Sequence, residues 1–495
     1  MTMALIAGLS FGLVGLPLSW GWLGLLWPWF FLSAFRTSVG SKKVLFFCLG
    51  VGQTQMGWLF PVFQQVEDRP LWLAALLFEA NLLITYLPLA LLLSLVSVLG
   101  SRQKRWAPSD FFWVCFPPAY LTFLWLSDFS PMASLPLPSI ATRALVMDLL
   151  GGSYRLMGTK GVELVLLFVA LAFAWMTSKP QARAIKGGVF IGLLLAGLVA
   201  MGQFNHQLAE GPVLRAAYLP WSGSLGDAPT RRKAVRDMIG RTASAAQLDV
   251  DLVIWPEQAL PGEAESGPDL ENLAKALKPH QALLLGGNHQ EPAGDRSHTY
   301  NWAYLVKGSE FQFEVYRQQT LSPWIETTPF WAAGLPLGIN PRPAYQPGEL
   351  ALFQVGQFTL APGLGFEPCL DRWYAEREAD VMGYVFLSSE FVFPLVAKQV
   401  LESLGRAKAL QTDKPVLKVA NGALSGLVSK PSARQTTGAW HPKIKGGEIA
   451  LIGQLPPSPF YQFGRWLLLP LSWLTALGAL LGLGQRQKKP EQPLG

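Results

Sequence analysis

Apolar residues come in long, nearly charge-free runs up to about Met201 and again from Trp466, whereas Gln203 to Gly464 has the mixed pattern of a soluble domain. A helix needs about 20 apolar residues to cross a bilayer. Ala4 to Phe35 is too long for one such helix and is broken by Pro17 and Pro28, so it predicts two short helices. Val44 to Phe63, Leu71 to Leu99, Phe111 to Leu126, Gly161 to Met176, Gly188 to Met201 and Trp466 to Leu483 follow, making about eight spans with the sixth and seventh short. The first run has no basic leader and no cleavage site, so it reads as a retained helix.

Between Gly211 and Gly453 the pattern changes to short β-rich runs alternating with helical ones. Strands are predicted at Val213 to Leu219, Asp249 to Glu257, Gln281 to Asn288, Asn301 to Val306 and Phe311 to Tyr316. Further strands are predicted at Gln357 to Ala361, Gly383 to Ser389, Pro415 to Asn421 and Leu424 to Val428. "PTRRKAVRDMIGRTASAA" carries helical periodicity between the first two. Such alternation indicates an α/β domain, whose active residues commonly sit past the carboxyl ends of the strands. The expected organisation is a transmembrane domain over 1–203 with about seven helices and an extracytoplasmic α/β domain over 211–455. A last transmembrane helix over 464–484 and a cytoplasmic tail over 485–495 complete it.

Charge sets the orientation. Arg36, Lys42 and Lys43 follow the second span; Arg102, Lys104 and Arg105 follow the fourth; Lys179, Arg183 and Lys186 follow the sixth; Arg486, Lys488 and Lys489 follow the eighth. Basic clusters after every even-numbered span put those loops and both termini in the cytoplasm, which leaves the α/β domain outside. The net charge of +7 is therefore an orientation signal at the edges of apolar runs, which argues against a nucleic-acid partner. A chain of 495 residues, half of them hydrophobic and only 15% charged, fits a membrane protein with one inserted soluble domain. The three cysteines, Cys48, Cys115 and Cys369, are too few and too scattered for a disulfide framework or a thiolate metal site. The histidines lack metal-ligand spacing, and no phosphate-cradling glycine loop or dinucleotide fingerprint is present, so no metal or cofactor is expected. Glu79 and Glu163 fall within or beside apolar runs, which makes each either a functional acid or an interfacial or interhelix-bonded residue.

Several motifs in the α/β region share an order and spacing with a known family. "DLVIWPEQALPG" resembles the W-P-E segment that carries the catalytic glutamate in the apolipoprotein N-acyltransferase family. "YRQQTLSPWIE" (316–326) is similar to that family's Y-x-K-x-x-L-x-P-F-G-E, and "LGFE" (364–367) resembles its I-C-Y-E. "RAKALQTDKPVLKVANGALSGLV" (406–428) tracks R-A-x-E-t-x-R-P-x-x-R-x-x-N-t-G-x-S. With the membrane pattern, the resemblance covers nearly the whole chain. It implies a polytopic α-helical membrane protein with an inserted nitrilase-like αββα sandwich, in a bacterial inner membrane with that domain in the periplasm. It also implies a reaction that moves an acyl chain from a membrane phospholipid to the α-amine of a diacylglyceryl-cysteine at a lipoprotein N-terminus.

That reaction runs through a thioester on the enzyme, so it needs a thiolate, a base and a cationic oxyanion donor. The family supplies them as a Glu–Lys–Cys triad. Glu257 stands at the base position, but Gln318 stands at the lysine position and Gly365 at the cysteine position. An amide donor carries no charge and cannot lower a thiol's pKa electrostatically. Arg317 is adjacent, yet strand neighbours point to opposite faces. Cys369 is the domain's only cysteine, and as a displaced nucleophile it lies four residues from the family position, which would face it to another part of the pocket. Glu326, Asn301 and Glu367 match family site positions and are the expected binding residues, while "LSSEF" (387–391) replaces T-N-D-x-W. Two readings follow: a divergent acyltransferase using Cys369 or another group, or an inactive family member that binds lipid or lipoprotein or assists a partner, including an active paralogue. A membrane-tethered amidase inherits the same missing thiol.

Overall fold

The computed structural model describes residues 1–16, 21–65, 70–102, 107–128, 137–177, 212–219, 228–259, 268–293, 296–308, 313–321, 348–390, 393–422, 425–428, 436–441, 444–450 and 458–486, with isolated positions at 192 and 197. The chain divides into two units, one of Met1–Ser130, Leu137–Asn205 and Pro459–Gly495, the other of Pro131–Pro136 and His206–Ser458.

The first unit is helical: α1 Thr2–Gly15, α2 Trp27–Phe35, α3 Ser41–Gln55, α4 Leu59–Gln65, α5 Leu71–Arg102, α6 Pro108–Ser127 and α7 Ala144–Thr177, with a last helix at Arg465–Arg486. Among the described residues α5 and α7 are long and apolar enough to cross a membrane, while α1 and the segments Leu23–Phe35 and Trp466–Leu481 are apolar but shorter. Helix α5 is apolar all round: Leu77, Leu82, Leu89 and Leu93 are buried, while Leu76, Leu83, Leu87, Leu91 and Leu95 are exposed. A helix with no polar face needs an apolar surrounding on both sides.

Two expected spans are corrected. Val44 to Phe63 is not one helix, because the chain turns at Met56–Trp58 between α3 and α4. The run expected at Gly161 is the second part of the longer α7, which kinks at Gly158 (φ 64°, ψ 177°), a conformation closed to residues with a side chain. The span expected at Gly188 to Met201 lies outside the described residues apart from 192 and 197. Both acids in apolar runs have partners: Glu79 accepts from Gln53 Nε2 at 2.6 Å, and buried Glu163 accepts from the Ala141 backbone N–H at 2.8 Å. Burial of irregular backbone in an apolar unit demands such internal partners, so Glu163 serves the loop before α7.

The second unit is built on two sheets. Its strands are β1 Val213–Tyr218, β2 Leu252–Ile254, β3 Ala282–Ala293, β4 Arg296–Lys307, β5 Phe313–Arg317, β6 Phe353–Val355, β7 Phe358–Leu364, β8 Gly383–Ser389, β9 Val416–Asn421, β10 Gly426–Val428, β11 Thr436–His441 and β12 Ile444–Ala450. Their orders are β11-β12-β1-β2-β3-β4-β5 and β10-β9-β8-β7-β6. All nine strands expected from the pattern are present, and β6, β11 and β12 are additional. Strands β7, β8 and β9 are parallel, as are β1, β2 and β3.

Alternation along the strands puts one set of apolar residues between the sheets: Leu252, Ile254, Leu284, Ala303 and Leu305 from one, Leu360, Val385, Leu387, Leu417 and Val419 from the other. The opposite face of the larger sheet packs Val253, Trp255, Leu283 and Tyr304 against Met238 of α8 (Ala228–Ala246) and Leu273 of α9 (Pro268–Ala276). On the smaller sheet, Trp373 and Tyr374 of α10 (Asp371–Ala375) pack edge-on against Phe386 and Tyr384. Helix α11 (Leu395–Thr412) lies along β9. The unit is therefore a helix–sheet–sheet–helix sandwich, and a strand covered on both faces reads as a continuous apolar run, as in "LVI" of β2, every residue of which is buried.

Candidate functional site

The parallel strands of both sheets end close to one another, and the family-matched residues cluster there. Strand β2 runs into Trp255-Pro256-Glu257. Trp255 is buried, its indole N–H donates to Thr242 Oγ1 at 2.8 Å, and its backbone N–H donates to Leu284 O at 2.8 Å. This anchors the strand exit, so Glu257 leaves the sheet from a fixed point. Gly286 on β3 completes the fit, because a Cβ there would lie 2.6 Å from Glu257 Cα. The next residue, Gln258, has φ 56°, a left-handed conformation that costs a non-glycine residue about 1 kcal/mol or more.

Glu257 is 4% exposed. One carboxylate oxygen accepts from Asn301 Nδ2 at 2.5 Å and the other from the Ser389 backbone N–H at 2.7 Å. Asn301 Nδ2 also donates to Gln318 Oε1 at 2.7 Å, and Gln318 Nε2 donates to Thr320 O at 2.9 Å. An amide nitrogen has two hydrogens to donate, so Asn301 spends both on this chain. The result is a buried relay, Glu257–Asn301–Gln318–Thr320, joining the ends of β2, β4 and β5. Arg317 takes no part in it. Its guanidinium carbon lies 4.7 Å from the ring centres of both Tyr300 and Trp302 on the opposite face of the sheet, a cation–π sandwich.

Strand β7 ends at Leu364, and Gly365 follows with φ 57°. Its N–H donates to Leu387 O at 3.2 Å, so the turn is tied to β8. The turn at Gly365 thus carries a backbone and no side chain.

Glu367 is fully buried and accepts four hydrogen bonds: from Tyr316 Oη at 2.7 Å and the backbone N–H groups of Gln319 at 2.6 Å, Thr320 at 2.9 Å and Leu364 at 3.0 Å. Burial raises its pKa, and the N–H donors at Leu364 and Thr320 oppose that rise. With every lone pair engaged, Glu367 is a positioning group that staples the loop carrying Gln318 to the turn carrying Gly365. Arg377 reinforces the staple: it is buried, stacks 4.6 Å over Trp373 and donates to Gln319 Oε1.

Cys369 sits in the single turn Glu367–Cys369. Burial pushes its thiol up to about 12, against a smaller downward pull from Lys408 and Lys418. Those lysines are already paired, Lys408 with Asp371 and Lys418 with Glu390. Near neutral pH Cys369 is a thiol and a poor nucleophile. Glu326 lies outside the described residues. No group of three or more metal-ligating side chains occurs among the described residues.

Sequence reading gave no role to four contributors. Ser389 acts through its backbone, which no side-chain motif reports. Gly286 acts by making room. Asn288 pairs in register with Asn301, and Asn421 pairs with Ser389. The parity of Asn421 with Leu417 and Val419 could have revealed its inward face.

The αββα sandwich, with a carboxylate-led polar cluster at the strand ends, defines the class: a nitrilase-like α/β domain in a chain that also carries membrane-length apolar helices. No family model matches the chain. It is similar to the apolipoprotein N-acyltransferase of Brucella melitensis, 24% identical over 489 residues, which covers 90% of this chain and 88% of that protein. It is also similar to the enzyme of that name from Pseudomonas aeruginosa (strain UCBPP-PA14), 26% identical over 357 residues and 67% of this chain, spanning 66% of that protein's length. Solved structures similar to it include a carbon–nitrogen hydrolase from Helicobacter pylori G27, with TM-score 0.37, 13% identity, and coverage of 48% of this chain and 89% of that one. Another is Saccharomyces cerevisiae Nit3, a member of the nitrilase superfamily, with TM-score 0.37, 12% identity and coverage of 49% and 92%. The relatives named apolipoprotein N-acyltransferase thus share 24–26% of their residues with this chain, and that family is the one the chain resembles.

Proposed function

We propose that this protein is a multi-pass inner-membrane member of that family which keeps the pocket but not the thioester chemistry, and binds a lipidated protein N-terminus or a membrane phospholipid. The observation that carries the reading is the pairing of an empty nucleophile position, Gly365, with a closed Glu257–Asn301–Gln318 relay. A general base must reach the proton it removes. Here both Glu257 oxygens are engaged by donors, and the lysine position holds an amide whose own N–H points at a loop carbonyl. The thiol state of Cys369 weighs against its use as a displaced nucleophile. The exposed leucine stripe of α5 supports membrane insertion. The basic clusters support about eight spans, cytoplasmic termini and a periplasmic nitrilase-like domain over 211–455. In this reading an active paralogue completes N-acylation where the pathway needs it.

The test uses the full chain in nanodiscs with a diacylglyceryl-cysteinyl peptide and labelled phospholipid. The expected outcome is saturable peptide or lipid binding with no N-acylated peptide formed. Turnover at a rate that scales with enzyme would contradict the reading, as would failure to bind either molecule.

A further inference from the structure

Most polar side chains at the site satisfy one another, and this isolates the exception. Asn421 ends β9 and is 0% exposed. Among the described residues neither its Oδ1 nor its Nδ2 has a hydrogen-bond partner. Its place is defined by register and parity: it pairs with Ser389, whose N–H holds Glu257, and it shares the inter-sheet face of Leu417 and Val419. It therefore lies on the same face and at the same strand ends as the relay. On the facing sheet, Asn288 pairs with Asn301 and also carries a buried, unmatched Oδ1.

A buried amide with no partner pays its full desolvation cost, so such groups persist where something else supplies the bonds. Asn421 offers one acceptor and one donor, and Asn288 offers a further acceptor. An ester or a phospholipid glycerol linkage offers acceptors only and would leave both carbonyl oxygens bare. A group with an N–H and a C=O matches Asn421 in both directions. We infer that Asn421 is a specificity residue of this pocket and that it selects a ligand by an N-acyl amide linkage over the corresponding ester. This rests on the binding reading above and names the chemistry that the retained pocket takes.

The experiment compares two probes on the full chain in nanodiscs: a short peptide N-acylated with a palmitoyl chain, and the matched compound with that amide replaced by an ester. Wild type should bind the amide about tenfold more tightly, as expected for one buried hydrogen bond made rather than lost. Asn421→Leu should abolish the preference and, because it removes an unpaired buried amide, raise the unfolding temperature of the unliganded chain. A residue with a merely structural role would lower that temperature. Equal binding of both probes by wild type overturns this inference and leaves the binding reading intact, whether or not the variant folds. Binding of neither probe also overturns this inference, and the binding reading then stands or falls on the diacylglyceryl-cysteinyl peptide and phospholipid measured above. A water held by Asn421 that remains in place in a crystal structure with the amide probe bound also overturns the inference.

Discussion

Residue by residue, the site divides into groups that hold one another and groups that hold the backbone. Glu257, Asn301 and Gln318 were legible as aligned motif positions, and the fold brings them within hydrogen-bonding distance. Glu367, expected as a binding residue, accepts four hydrogen bonds that tie two loops together. Asn421 stood on the asparagine of the 406–428 motif without a role, and Asn288 was not legible, because which side chains meet across two sheets depends on register, and register is set by partners distant in sequence. Cys369 yields a direct prediction. With its pKa raised to about 12, the folded thiol should alkylate about a thousandfold more slowly at pH 8 than the same thiol in denaturant. Because the folded pKa is above the ordinary thiol value, the rate should keep climbing past pH 10 where an ordinary thiol has levelled. Iodoacetamide labelling of Cys369 read by peptide mass spectrometry checks this, and fast labelling at pH 8 in the folded chain would contradict it.

At the scale of elements, the strongly patterned strands and helices were readable because apolar alternation is a local signal. Strand β6 spans only Phe353–Val355, and β11 and β12 ("TTGAWH", "IKGGEIA") are rich in glycine and polar residues. Their pairing is supplied by neighbours: β12 closes against β1 from Val213 opposite Ala450 to Tyr218 opposite Lys445. The break between α3 and α4 was hidden because its residues are as apolar as the helices beside it. The approach of β3 to the W-P-E turn gives a prediction at this scale. Gly286→Ala places a methyl group against Glu257 backbone, which cannot swing away as a flexible side-chain end could. Unfolding of the variant should show a loss of about 1–3 kcal/mol, the range for overpacking a filled site. An unchanged midpoint would mean that β2 and β3 are not held as described.

For the whole molecule, composition and charge already separated a membrane part from an α/β part, and the apolar stripe of α5 agrees with that division. Orientation can be checked by labelling. In intact spheroplasts an impermeant maleimide should modify Lys275→Cys on the exposed face of α9, and should modify Ser101→Cys at the end of α5 only after permeabilisation. The reverse pattern would invert the topology.

The central claim is that the site holds no working nucleophile. The measurement that meets it most directly is incubation of the purified full chain with phospholipid labelled in its acyl chain, followed by denaturation and hydroxylamine treatment. On the reading proposed above, no hydroxylamine-sensitive acyl adduct forms in the wild type or in Cys369→Ala. A stoichiometric adduct that disappears in Cys369→Ala would contradict it and would make this chain a thioester enzyme with a displaced cysteine.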